Sequence, residues 1–238
     1  MSLYSKIIDL QKLHAAWNRV KKNKPAAGAD HITCEMFEEN LQNNLKQLHM
    51  ELSEHTYDVF PVKLITMNKD GKVRDISLYS MRDKVVQNSL AAELNPLIES
   101  RLSKCACAYR ADSSALHIVN QIEEYLVSGT YSWFLKTDIN GFFDHVNLNR
   151  MEQKLMQLVR EEDVMALLKK QLHAPYVSVY GELEEKEMGL YQGSNLSPML
   201  SNLYLNDMDH ELEQAPVIYI RYADDMIVLC SNEEDKLQ

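Results

Sequence analysis

Glycine and proline are sparse in this chain, 7 and 6 of its 238 residues, which excludes a collagenous, low-complexity or largely disordered polymer. Cysteine is scarcer still. Cys34, Cys105, Cys107 and Cys230 are scattered, and the one close pair has a single residue between its members, which is not the spacing of a structural zinc knuckle. Free thiols, mostly buried, are the expected state. No apolar run reaches the ~18–20 residues of a membrane span, and Met1 to Lys6 lead into a mixed polar segment instead of an apolar signal core. The expected location is therefore the cytoplasm, with no membrane partner. What is present is an ordinary globular composition, 45% hydrophobic and 25% charged, long enough for one large domain or two small ones.

Positive charge is also in deficit, with a formal net charge of -10. Taken as an average, that argues against a polyanionic partner. The distribution changes the conclusion for one end. Residues 1–110 carry 16 Lys+Arg against 13 Asp+Glu, a net of +3, whereas residues 111–238 carry 9 against 22, a net of -13. One end can face phosphate, and the other concentrates carboxylates.

Two segments have helical periodicity: residues 5–22, through Ile8, Leu10, Leu13 and Trp17, and residues 35–54, through Met36, Phe37, Leu41, Leu45, Leu48 and Leu52. Pro25 and Gly28 break the chain between them, beside a basic cluster of Arg19, Lys21, Lys22 and Lys24. That cluster is either a solvated helix end or a phosphate contact. Residues 59–67 and 73–78 are rich in β-formers around Asp70-Gly71 and predict a hairpin with a cationic tip. Ser80, with Asp83 three residues on, predicts the start of a helix running toward Ser100. A loop over 101–112 and further helices over 113–127, 148–159 and 162–172 follow. A strand pair is expected over 176–180 and 183–188, then a helix from Ser197-Pro198 to about Glu213.

The carboxylates carry the chemistry. Residues 133–139 read as a short buried strand, with Trp133 in the core and Asp138 at its tip. Residues 217–222 and 226–230 read as apolar strands of a tight hairpin with Asp224 and Asp225 at its apex. An isolated Asp-Asp pair is ordinarily a solvated turn, but carboxylates held against apolar strands need a compensating cation. Three acidic oxygen donors, with room for water and phosphate, suit Mg²⁺. The layout is that of a two-metal phosphoryl-transfer site.

Tyr222-Ala223-Asp224-Asp225, preceded by Arg221, resembles the Y-A-D-D hairpin of reverse transcriptases, and Phe134 to Asp144 resembles their first acidic motif. Gln192-Gly193-Ser194, with Ser197-Pro198 and then Leu200, Asn202 and Tyr204, is similar to the Q-G-x-x-S-P-x-L-x-N-x-Y segment that lies between them. Asn23 to Asp30, Tyr57 to Val62, Lys69 to Arg74 and Arg82 to Gln87 are similar to the amino-terminal and fingers segments of the group II intron branch. The resemblance spans roughly residues 15–231. Three departures weaken the resemblance to splicing maturases and leave CRISPR-associated and other bacterial group-II-like enzymes open. Arg74 to Leu78 stands where group II intron enzymes carry R-P-L-G-I-P, Tyr109 to Ser113 stands in place of their G-F-R-P-G-R-S stretch, and Ser194 replaces a glycine.

The resemblance implies an α+β right-hand polymerase: helical fingers over 1–130 with the hairpin near 59–78, and a palm over 131–238 whose small antiparallel sheet packs on helices. It implies RNA-directed DNA synthesis using an RNA template, a DNA or RNA primer and dNTPs, with two Mg²⁺ ions for which Mn²⁺ can substitute. Asp138 and Asp224 would bridge the metals, and Asp225 would either support them or serve as a structural turn residue. Lys69, Lys72 and Arg74 would meet the triphosphate, Arg74 through a bidentate guanidinium. Gln192 and Gly193 would border the incoming base and sugar. Phe143, five residues after Asp138, would be the steric gate against a 2′-hydroxyl, with neighbouring Phe142 in the core.

An RNA-dependent RNA polymerase would carry an Asp at position 143, and a retired RNA-binding scaffold would have no use for the three carboxylates. Palm-like nucleotide cyclases lack the Gln192 loop. Family members continue into the remaining palm and a thumb. The chain is therefore expected to be an amino-terminal fragment without a thumb, binding duplex weakly, with Glu233 to Lys236 opening the next helix. A maturase, endonuclease or Cas1-like domain would complete the longer protein.

Overall fold

The structure is a computed structural model that describes residues 2–69, 71–110 and 113–232, apart from the side chains of Lys69 and Lys72. The expected tip residue Asp70, the loop residues Ala111 and Asp112, and the expected helical turn at Glu233 to Lys236 lie outside the described residues. The chain forms two compact units, Met1–Leu97 with Phe143–Ser197, and Ile98–Phe142 with Pro198–Gln238.

The first unit is mainly helical. The segment read as one helix over 5–22 is two, α1 (Leu3–Ile8) and α2 (Leu10–Lys22), because Asp9 adopts an extended ψ of 133° and its carboxylate accepts from the Gln11 and Lys12 amides. A side chain that caps a new helix competes with continuation of the old one. The segment read as 35–54 divides likewise at Asn40 into α3 (Cys34–Glu39) and α4 (Leu41–Ser53). Leu13, Ala16, Trp17 and Val20 of α2 and Leu45, Leu48 and Leu52 of α4 are buried, the three-to-four spacing of an inward face. Ser80 opens α5 (Met81–Glu99) as expected: its hydroxyl accepts from the Asp83 amide at 3.2 Å and donates to the Asp83 carboxylate at 2.6 Å.

Strands β1 (Val62–Lys69) and β2 (Lys72–Leu78) form the expected antiparallel hairpin, with Lys69 opposite Lys72 and Gly71 at φ +78°. Later in the chain α7 (Leu148–Leu158) and α8 (Glu162–Leu172) precede β4 (Tyr176–Val177) and β5 (Leu183–Glu184). This last pair is shorter than expected. It also joins the hairpin, β4 lying parallel to β1, in one four-stranded sheet of order β2-β1-β4-β5.

The second unit contains α6 (Ala115–Val127), β3 (Trp133–Asp138), α9 (Ser197–Leu212, entering from the first unit), β6 (Ile218–Tyr222) and β7 (Asp225–Cys230). Its antiparallel sheet has the order β3-β7-β6. The reading of β3 as a buried strand is corrected: all six residues are exposed, and Trp133, expected in the core, is 39% exposed. Edge position alone does not account for this, since β6 at the other edge of the same sheet has Tyr219, Ile220 and Arg221 buried; side chains are buried by what packs on a sheet face, and apolar composition by itself does not supply that cover. No helix among the described residues is long and apolar enough to cross a membrane. All four cysteines are free thiols.

Candidate active site

The three acidic residues meet within the second unit because of strand register. Asp138, the last residue of β3, lies directly opposite Asp225, the first residue of β7, and Tyr222 of β6 pairs with the same Asp225. Ala223 and Asp224 therefore form a two-residue hairpin loop. Ala223 has φ +60°, while Asp224 is not among the positive-φ residues, the pattern of a type II′ turn with Ala where Gly is usual. The Ile139 amide donates to the Asp224 carbonyl at 3.3 Å, tying the turn to the chain leaving Asp138. The carboxylates are nonetheless exposed or half-exposed, which corrects the expectation of buried charge. Lys136, on the same face of β3 as Asp138, approaches Asp225 at 3.6 Å.

No group of three or more His, Cys, Asp or Glu that would by itself cage a metal occurs among the described residues. Mg²⁺ does not require one, since it characteristically takes one or two carboxylates and fills its shell with water and substrate phosphate. Asp138 and Asp224 fit that donor set.

Sequence reasoning missed the network behind the hairpin. Arg221 and Asp209 are both 0% exposed, paired through Nε at 2.8 Å and Nη2 at 2.5 Å. Tyr219 donates to the same carboxylate at 3.0 Å. The sequence does hold a signal for it, because Asn202, Asn206, Asp209 and Glu213 recur at four, three and four residues and form a polar stripe on α9. Every member is hydrogen-bonded: Asn202 to the Ala108 carbonyl, Asn206 to the Arg101 carbonyl, and Glu213 to the Ser103 hydroxyl. Tyr109, with φ +61°, has its phenol pushed above the usual range by burial and then by the Asp224 charge, which places it in electrostatic reach of the turn.

The expected nucleotide-binding residues belong to the first unit. Arg74 is exposed on β2, opposite Met67. The Gln192 carbonyl accepts from the Ser77 amide at 2.7 Å. Gly193 has φ +115°, and a Cβ there would lie 2.7 Å from the Ser77 carbonyl oxygen, so both conformation and closeness require glycine. Phe143 joins the same loop through its carbonyl, which accepts from the Leu190 amide at 2.6 Å. Phe143 is half-buried while Phe142 is 5% exposed, the expected division between the two rings.

Beside this loop a cleft of about 610 Å³ is lined by Asp75, Asp144, Glu184, Glu185 and Glu187, with Lys186 as its cation. Lys186 lies 4.4 Å from the Tyr191 ring centroid, and burial lowers its pKa.

Comparison with known proteins gives consistent matches. The profile of the reverse transcriptase (RNA-dependent DNA polymerase) family matches residues 66–238. The putative COX1/OXI3 intron 2 protein of Saccharomyces cerevisiae is 28% identical over 208 residues, covering 86% of this chain and 24% of that protein. The group II intron-encoded protein LtrA of Lactococcus lactis subsp. cremoris is 24% identical over 229 residues, covering 94% of this chain and 37% of that protein. The solved partial Cas6-RT-Cas1–Cas2 complex superimposes with a TM-score of 0.63 at 24% identity, covering 98% of this chain and 39% of that one. The chain thus spans about a quarter to two fifths of each.

Proposed function

Because this chain belongs to the reverse transcriptase (RNA-dependent DNA polymerase) family, we propose that it adds deoxynucleotides to a primer 3′ end, with Asp138, Asp224 and Asp225 as catalytic carboxylates. The observation that carries the reading is the register of β3 on β7, which sets Asp138 opposite Asp225 and beside the Asp224 turn. Asp138 and Asp224 would hold two Mg²⁺ ions, or Mn²⁺ in their place. When bound, these supply activation of the primer hydroxyl and neutralisation of the departing pyrophosphate. Asp225, engaged by Lys136, supports that pair from the second strand.

Arg74 grips the triphosphate in bidentate fashion, aided by Lys69 and Lys72 at the hairpin tip. Gln192 and Gly193 border base and sugar, the missing side chain at 193 allowing close approach. Phe143 occupies the space that a 2′-hydroxyl would need, and this selects dNTPs. In domain terms, residues 1–130 are the fingers and 131–238 part of the palm. The template is RNA, the primer DNA or RNA, and the site of action cytoplasmic. A maturase, endonuclease or Cas1-like region accompanies the chain in a longer protein, in keeping with the greater length of its relatives.

A template-primer assay with dNTPs and rNTPs supplied separately tests the reading. The chain should add dNTPs in preference to rNTPs, and Asp224→Asn should abolish addition while leaving the circular dichroism spectrum unchanged. Full addition by Asp224→Asn would refute it. Equal use of rNTPs would assign the chain to RNA synthesis instead.

A further inference from the structure

Arg221 has more to do than neutralise Asp209. Its Nη1 donates to Asn202 Oδ1 at 3.0 Å and to the carbonyl of Ala223 at 2.7 Å. The guanidinium is thus anchored on α9 by Asp209 and Asn202 and presents one remaining arm to the turn. Its backbone is fixed as well: the Arg221 amide donates to the Cys105 carbonyl at 2.8 Å, and the Cys107 amide donates to the Arg221 carbonyl at 2.9 Å. The turn that it touches contains Ala223 at φ +60°, a region in which an alanine is roughly tenfold less populated than in the right-handed one. A strained residue persists only where its surroundings over-determine it, and here those surroundings are the Arg221 arm on the Ala223 carbonyl and the Ile139 amide on the Asp224 carbonyl.

We propose that Arg221 is a positioning residue of the polymerase site: by holding the Ala223 carbonyl it fixes the conformation of the turn and, through it, the place of the Asp224 carboxylate relative to Asp138. The inference rests on the metal-site reading given above. It differs from a purely structural role for the buried ion pair in one respect. If the guanidinium acts by holding a left-handed alanine, a glycine at 223, which adopts that conformation without strain and is the usual first residue of a type II′ turn, removes the need for it.

The test uses the 238-residue chain and Mn²⁺ as probe, with bound ion measured from the loss of the free-ion electron paramagnetic resonance signal and stability from thermal unfolding. Arg221→Lys keeps a cation for Asp209 but lacks the fork that reaches Asp209 and Ala223 together. It should weaken Mn²⁺ binding about five- to tenfold, the population ratio of the strained turn. Adding Ala223→Gly to that variant should return Mn²⁺ affinity to within about twofold of the parent, leaving the loss of thermal stability in place.

If Arg221→Lys does not fold, the combined Arg221→Met and Asp209→Leu variant replaces the buried pair by apolar groups, a change that such sites tolerate, and is put through the same titration with and without Ala223→Gly. Parent-like Mn²⁺ affinity in a folded Arg221 variant, or the same loss with Gly and with Ala at 223, overturns the positioning role. Asp224→Asn separates the two readings. If it loses Mn²⁺ binding while the Arg221 variants keep it, only the positioning role falls; if it binds like the parent, the metal site and the positioning role fall together.

Discussion

Asp83 offers a quantitative test of the packing in the first unit. It is 0% exposed, and its carboxylate accepts hydrogen bonds from the Tyr57 hydroxyl at 2.6 Å, the Ser80 hydroxyl at 2.6 Å and the Phe60 amide at 3.1 Å. Burial nevertheless outweighs these donors and the nearby Arg82 charge, and pushes its pKa from 3.8 up to about 6. A native pKa above the unfolded one means that the folded chain binds the proton more tightly between these values. Stability from this group is fully present below pH 3.8 and is lost as pH rises through 6. The difference of about two pK units corresponds to about 3 kcal/mol.

Asp83→Asn cannot ionise. It gives up about 1 kcal/mol through one imperfect hydrogen bond, since its amide nitrogen must face a former donor. The variant should therefore be less stable than the parent at pH 4, equal to it near about pH 4.5, and more stable by about 2 kcal/mol at pH 7. Urea unfolding followed by the fluorescence of buried Trp17, in a Trp133→Phe background so that the exposed tryptophan of the other unit is silent, measures the difference across this range. Parallel stability profiles for parent and variant from pH 4 to pH 7 would show that Asp83 does not bear the burial cost assigned to it.

Three further outcomes are expected. Gly193→Ala places a Cβ 2.7 Å from the Ser77 carbonyl oxygen at φ +115°; it should cost about 1–3 kcal/mol and raise the KM for dNTP, whereas unchanged melting and KM would refute the close approach. Asp209→Ala strands the fully buried Arg221 and should destabilise the second unit by about 3–5 kcal/mol, read as the urea midpoint of a probe placed at Trp133. Phe143→Val should raise rNTP use relative to dNTP in an otherwise active enzyme, and an unchanged ratio places discrimination on another residue.

Much of this protein is decided by the sequence itself, because the deciding interactions are local. Asp70-Gly71 between β-formers dictates the β1–β2 hairpin, and Ser80 with Asp83 dictates the start of α5, whereas Phe142 and Phe143 lie in a 3₁₀ turn, so the burial of Phe142 does not follow from strand alternation. The acidic residues at the strand tips mark the candidate site through residue type and spacing, and the Gln-Gly motif through its resemblance to the family. Other features depend on contacts between segments distant in sequence. The apolar composition of Trp133 to Asp138 suggests a core strand, yet burial depends on what packs on the sheet faces, and β3 is exposed where β6, the other edge strand, is largely buried. The breaks at Asp9 and Asn40 hide within an uninterrupted hydrophobic period, because periodicity reports which face is inward and not whether the axis continues. The pairing of β4 with β1 joins residues more than a hundred positions apart and has no local signature. The same holds for the buried charge of Arg221. Its partner Asp209 lies twelve residues away on α9, and only the packing of that helix against β6 turns an arginine beside a motif into a hydrogen-bond donor to the Ala223 carbonyl of the turn.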